Sequence, residues 1–170
     1  KLRLFADENL RHAVINADDP FASQVRAAVV GGVEVLTYSA SGRAADVRVE
    51  NARFHADGVR GELHTPWGQA AFFSPLAGSF NLANLAAAVA ALVLSGEDLL
   101  AVLEAVINLR PVPGRMQTIP NSHDLQVIVD YAHTPHALEQ VLKALRPQVS
   151  GSLVTVFGCG GDRDREKRQL

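Results

Sequence analysis

After residue 116 the chain is written as strand, helix, strand, and few folds can hold that order. The run VIVD at 127–130 shows no apolar–polar alternation, as expected of a strand buried on both faces. Thr134-Pro135 then supplies a helix N-cap followed by proline at the first helical position. Leu138, Val141, Leu142 and Leu145 recur at helical spacing and predict the buried stripe of that helix. LVTVF at 153–157 reads as a second strand. In such a unit the crossover is right-handed and the strands are parallel. Ligands bind beyond the carboxyl ends of the strands. Two polar clusters fall at those ends: Asp130-Tyr131-Ala132-His133, and residues 158–164.

The second cluster opens GCGGDRDREKR, a glycine turn that invites comparison with a dinucleotide fingerprint. That fingerprint needs G-x-G-x-x-G. Gly158 and Gly160 fit, but the third position is Arg163, and a large charged side chain cannot replace the glycine that lets helix and strand pack closely. Nor is the turn a phosphate loop of the G-x-x-x-x-G-K-[ST] type. It offers backbone N–H groups and a guanidinium. Arg163 can hold a carboxylate in a bidentate pair, or be a solvated arginine in a charged run; residue chemistry leaves both open. Cys159, the single cysteine, excludes an internal disulfide, fits a reducing compartment and reads as a small packing residue.

Upstream the texture differs. HAVIN at 12–16 is a short strand, and Pro20 suits the first turn of a helix running to about residue 28. The opening KLRLF reads as the middle of a helix. From 33 to 74, short β-prone runs separated by Gly, Asp and Pro predict partly antiparallel strands, with a hairpin around Ala56-Asp57-Gly58. Ser79 is the expected N-cap of a long helix whose stripe is Leu82, Leu85, Ala86, Val89, Leu92 and Val93, closed by Gly96. A second helix covers 99–108. RPVPGR at 110–115 then packs two prolines and a glycine into a linker. The longest apolar run, 85–94, is too short for a bilayer, which needs about 20 residues. A net charge of −2 gives no electrostatic case for nucleic acid or an anionic membrane as partner.

Five segments, KLRLF…HAVINADDP, GSFNLANLAAAVA, RPVPGRM, VDYAHTP and FGCGGDRDREKR, stand in the order found in Mur ligases. The chain resembles that family over essentially its whole length, most closely its diamino-acid-adding branch, for which DYAHTP and GCGGDRD together are specific. The resemblance implies an α/β fold. Residues 1–110 would be the C-terminal part of the central ATPase domain, a mixed sheet with helices. Residues 111–170 would begin a Rossmann-like parallel α/β domain that binds the amino acid. It also implies an ATP-dependent amide ligation. ATP phosphorylates the glutamyl carboxylate of a UDP-N-acetylmuramoyl (UDP-MurNAc) dipeptide. The amine of a diamino acid, meso-diaminopimelate by this resemblance, displaces the phosphate. Positioning and charge neutralisation, with Mg²⁺, carry such chemistry. A cytoplasmic monomer, with neither nucleic acid nor membrane as partner, goes with the family.

Carried over residue by residue, the resemblance puts Lys1 on a carbamylated lysine. A free ammonium would repel Mg²⁺, whereas a carbamate supplies hard oxygen ligands. Asn81 and Asn84, at i and i+3 on one helix face, would face the nucleotide, with the Asn84 amide on the adenine. Arg115 resembles a linker arginine that reaches the ATP phosphates. Asp130 resembles the carboxylate that meets the ribose, and His133 a histidine on the nucleotide side. Arg163 resembles the arginine that holds a carboxylate of the diamino acid. His12, His55, His64, His123 and His136 show no ligand spacing.

The family's phosphate loop, further Mg²⁺ ligands, uridine-binding domain and the later segment that separates diaminopimelate from lysine do not occur in these residues. The 170 residues are therefore expected to be part of a longer enzyme and inactive alone. Competing readings are a lysine-adding or folylpolyglutamate synthase-like ligase, a non-catalytic nucleotide-binding homologue, and an oxidoreductase fragment, against which the missing third glycine counts.

Overall fold

Alternating buried positions, not helices, organise the first hundred residues. In the computed structural model, which describes residues 2–55, 57–76, 78–123 and 125–158, β1 (His12–Asn16) and β2 (Glu34–Ser39) pair in parallel across the short helix α1 (Ala22–Ala28). β3 (Val47–His55) continues the sheet in parallel through two residue pairs. β4 (Gly58–Thr65) and β5 (Gly68–Ser74) then fold back antiparallel, giving the order β1-β2-β3-β4-β5. Val47, Val49, Val59, Leu63 and Phe72 point to one face and are buried. The helix α2 (Ser79–Leu94) covers that face with Leu82, Leu85, Ala86, Val89, Ala90 and Val93, and α3 (Leu99–Val106) joins the same core through Leu99, Val102, Leu103 and Val106.

The helix ends differ in detail from expectation. Ser79 is the first helical residue and makes no capping bond; the cap is Gly78, at φ 94°. Leu92 is 47% exposed, so Ala90 takes its place in the buried stripe. Gly96, at φ 104°, closes α2 with bonds from its own N–H to the Val93 carbonyl and from the Glu97 N–H to the Leu92 carbonyl. That pairing is the Schellman arrangement. Asp98 caps α3 by accepting from the Ala101 N–H at 3.0 Å, and α3 stops at Val106, two residues early. α1 starts two residues after Pro20, and the opening segment is a single 3₁₀ turn, Leu2–Leu4, rather than a longer helix.

One carboxylate pins the carboxyl ends of β1 and β2. Asp18 accepts from Ser39 Oγ (2.8 Å), Ala40 N (2.9 Å), Ser41 N (3.2 Å) and Ser41 Oγ (2.6 Å). Burial would push its carboxyl up, but these four bonds together hold it below its ordinary 3.8. Asp18→Ala is expected to cost about 1–3 kcal/mol at neutral pH, because the wholly buried Ser39 hydroxyl loses its acceptor. A depressed carboxyl stabilises the fold above its unfolded value and loses that contribution as pH falls through the lower folded value. The gap between wild type and variant should thus stay level down to about pH 5 and close below 3.8. Urea titrations at several pH values read it directly, and a gap that widened with acid would contradict the assignment.

The chain divides into two units, Lys1–Arg110 and Pro111–Leu170. In the second, β6 (Gln117–Ile119) and β7 (Val127–Val129) form an antiparallel pair of three residues each, followed by α4 (Pro135–Leu145). Thr134 caps α4 by accepting from the Ala137 N–H, with Pro135 opening the helix as expected. Two expectations fail here. β7 is not buried on both faces: Val127 is 38% and Val129 43% exposed. Residues 153–157 form no strand, with Val154 at 80% and Val156 at 94% exposed. A parallel strand takes all its hydrogen bonds from neighbours distant in sequence, whereas 117–129 pair through a local connection. Of the α4 stripe only Leu145 is fully buried; Leu138, Val141 and Leu142 are half-buried. Among the described residues no helix is long and apolar enough to cross a membrane.

Candidate functional site

The end of the linker is a tight turn. The Arg115 N–H donates to the Val112 carbonyl at 2.9 Å, and Gly114 sits at φ 73° with its N–H on Gln117 Oε1. Met116 follows at φ 46°, in the left-handed region, and is buried. A methionine there costs about 1–2 kcal/mol and persists only where its surroundings fix it. Asp130, just past β7, is what fixes it. Its Oδ2 accepts from the Met116 N–H at 2.9 Å and its Oδ1 from the Ala132 N–H at 2.8 Å. A carboxylate has about four lone-pair sites, so two remain for other donors.

That clasp brings the linker arginine onto the loop after β7. The Arg115 guanidinium carbon lies 5.0 Å from the centre of the Tyr131 ring. The Tyr131 and His133 rings meet edge to face, 5.1 Å apart at 62°. His133 Nδ1 is 3.0 Å from the Tyr131 carbonyl oxygen. A carbonyl only accepts, so Nδ1 carries the hydrogen of this bond and Nε2 is the ring nitrogen left for another partner. His133 also lines a cleft of about 630 Å³ that runs along α4 beside residues 153–158, with Leu138, Leu142 and Phe157 as apolar walls. Arg146, at its edge, donates to the carbonyls of Val149 and Gly151.

Of the residues singled out by sequence, Arg115, Asp130 and His133 thus meet at one turn. Asn81 and Asn84 lie in the first turns of α2, Asn81 half-buried and Asn84 exposed. Lys1 and Arg163 lie outside the described residues, as does Cys159. His64 sits 3.2 Å from Glu50 on the strands β3 and β4, away from this turn in sequence and in the other unit. Tyr131, which touches both Arg115 and His133, carries no signal of its own; its place between Asp130 and His133 is the only pointer to it. Among the described residues no group of three or more His, Cys, Asp or Glu side chains converges to hold a metal ion.

Two family models match the chain: the Mur ligase middle domain over residues 1–92, and the Mur ligase glutamate ligase domain over residues 114–170. The chain is 51% identical, over 170 residues, to a UDP-N-acetylmuramoyl-L-alanyl-D-glutamate–2,6-diaminopimelate ligase of Gloeobacter violaceus. That match covers 99% of the chain and 34% of the relative. It is 47% identical to the ligase of the same name from Alkalilimnicola ehrlichii, covering 100% and 34%. A solved structure of a ligase of that name superposes with a TM-score of 0.75 at 43% identity, covering 98% of this chain and 35% of that one. The chain spans about a third of the length of these relatives. With the middle-domain model alone matching 92 of its 170 residues, the chain belongs to the Mur ligase family.

Proposed function

We propose that the chain is part of an ATP-dependent ligase of peptidoglycan precursor synthesis, one that joins 2,6-diaminopimelate to UDP-MurNAc-L-Ala-D-Glu. The observation that carries this reading is the turn where Arg115, Asp130 and His133 converge, in a chain about half identical throughout to ligases of that name. ATP supplies the phosphoryl group that makes the glutamyl carboxylate an acyl phosphate; the diamino acid's amine attacks its acyl carbon, forming the amide C–N bond as phosphate leaves and the amine gives up a proton. Asp130 keeps two lone-pair sites for ribose hydroxyls. His133 offers Nε2 to the nucleotide as a hydrogen-bonding group. Arg115 is exposed and positively charged, suited to phosphate oxygens. Asn81 and Asn84 add amides on α2 for the nucleotide, and Arg163 takes a carboxylate of the diamino acid. Lys1, as a carbamate, would be a Mg²⁺ ligand in this reading. The boundary between the ATP-binding and amino-acid-binding parts falls at 110/111. The enzyme works as a cytoplasmic monomer, without nucleic acid or membrane.

The test uses a full-length ligase carrying this segment. Phosphate release from ATP and UDP-MurNAc-dipeptide should require meso-diaminopimelate. Arg163→Ala should raise the KM for that amino acid at least tenfold, as expected for losing a bidentate charged pair of about 1.5–3 kcal/mol. Release that required lysine instead would reassign the substrate. Release with neither, or an unchanged KM in the variant, would sink the reading. The 170 residues alone should show no ligation.

A further inference from the structure

The geometry points to Tyr131 as a positioning residue: its ring holds the Arg115 guanidinium and packs against the His133 imidazole, so the cation and the ring that face the nucleotide are set by one side chain. The inference rests on the nucleotide-facing reading above. Tyr131 is 63% exposed, so it is not a core residue by burial, yet it makes both ring contacts at the turn. Arg115 is exposed and forms no salt bridge among the described residues; its guanidinium lies over the Tyr131 ring instead. A free arginine side chain samples many rotamers, and holding it over an aromatic face narrows them before the ligand arrives. The backbone adds a second constraint. Asp130 ties the residue after Arg115 and the residue after Tyr131 to one carboxylate, so ring and guanidinium are presented to each other from both sides of the clasp. His133 is fixed likewise: its Nδ1 bonds the Tyr131 carbonyl while its ring edge meets the Tyr131 ring. Because the contact uses the face of the ring, the phenol hydroxyl is dispensable for it.

The experiment is steady-state kinetics on the full-length ligase carrying this segment. Tyr131→Met keeps bulk without a π face and should raise the KM for ATP about three- to fivefold, the scale of an exposed cation–π contact. The KM values for dipeptide and diamino acid, and the thermal midpoint, should not move. Tyr131→Phe keeps the face and should recover the KM for ATP. In an Arg115→Met background, Tyr131→Met should raise the KM for ATP by a smaller factor than in the wild type, since only the His133 contact is left to lose. Should Tyr131→Met lower the thermal midpoint, Tyr131→Leu and Tyr131→Phe repeat the comparison. Equal KM values for the Met and Phe variants, or a Tyr131→Met effect as large in the Arg115→Met background as in the wild type, would overturn the proposal while leaving the ligase reading intact. A wild-type enzyme that releases no phosphate would remove the ligase reading and the proposal with it.

Discussion

Gly58→Ala is expected to destabilise the first unit by about 2–5 kcal/mol, against about 1–3 kcal/mol for Gly68→Ala. Both glycines open a strand at positive φ, 141° and 138°. They differ in what surrounds them. A Cβ on Gly58 would lie 2.2 Å from the Ser74 carbonyl oxygen and 2.8 Å from the Pro75 Cα, both backbone atoms of the neighbouring chain segment, so β4 and β5 would have to part. A Cβ on Gly68 meets nothing within 4 Å, leaving only the cost of the backbone conformation. The difference between the two variants isolates the close approach from the dihedral strain. Urea denaturation with an unchanged m value measures it. Equal losses in the two would mean that β5 yields to the added methyl group at no cost.

What the sequence discloses about this fold follows from how local each cause is. The strands 12–16, 58–65 and 68–74 and the helices 79–94 and 135–145 are set by patterns within a few residues, and they stand close to where those patterns put them. The Thr134-Pro135 start is a local bond and forms as written. Residues 153–157 read equally well as a strand, but a strand exists only where a neighbour supplies its hydrogen bonds, and nothing in LVTVF names that neighbour. Leu92 fits the helical stripe by spacing and is exposed because burial is decided by what packs on α2, where Ala90 faces the sheet.

The site divides in the same way. Asp130 and His133 are visible because strand ends collect function, and Arg115 because a linker arginine stands out between prolines and glycine. Their meeting is not visible. It depends on Met116 adopting a left-handed conformation that no propensity favours, held by a bond that spans fourteen residues. Tyr131 is hidden for a further reason. An exposed tyrosine in a loop is ordinary, and only its distances to two neighbours make it part of the site.

Asp130→Ala should therefore fail twice, and the two failures can be separated. The first is structural. The Met116 N–H is left without its acceptor in a residue only 2% exposed, which costs about 1–3 kcal/mol, and the strain at Met116 loses what holds it. The second is functional on the ligase reading. A carboxylate accepting from ribose contributes about 1.5–3 kcal/mol, so its loss lowers kcat/KM for ATP about 10- to 150-fold, with a further loss because Arg115 is no longer carried to Tyr131. Asp130→Asn is no remedy, although it is nearly the same shape. The two carboxylate oxygens each receive a backbone N–H, so an amide must turn its NH₂ toward one of those donors whichever way it faces. The asparagine variant should lose stability and ATP turnover together, close to the alanine variant in both. Thermal denaturation and ATP kinetics on the same preparations settle it. A destabilised asparagine variant with wild-type kcat/KM for ATP would make Asp130 a clasp and nothing more. A variant of wild-type stability that cannot use ATP would show that the clasp contributes little and that the carboxylate serves the nucleotide alone.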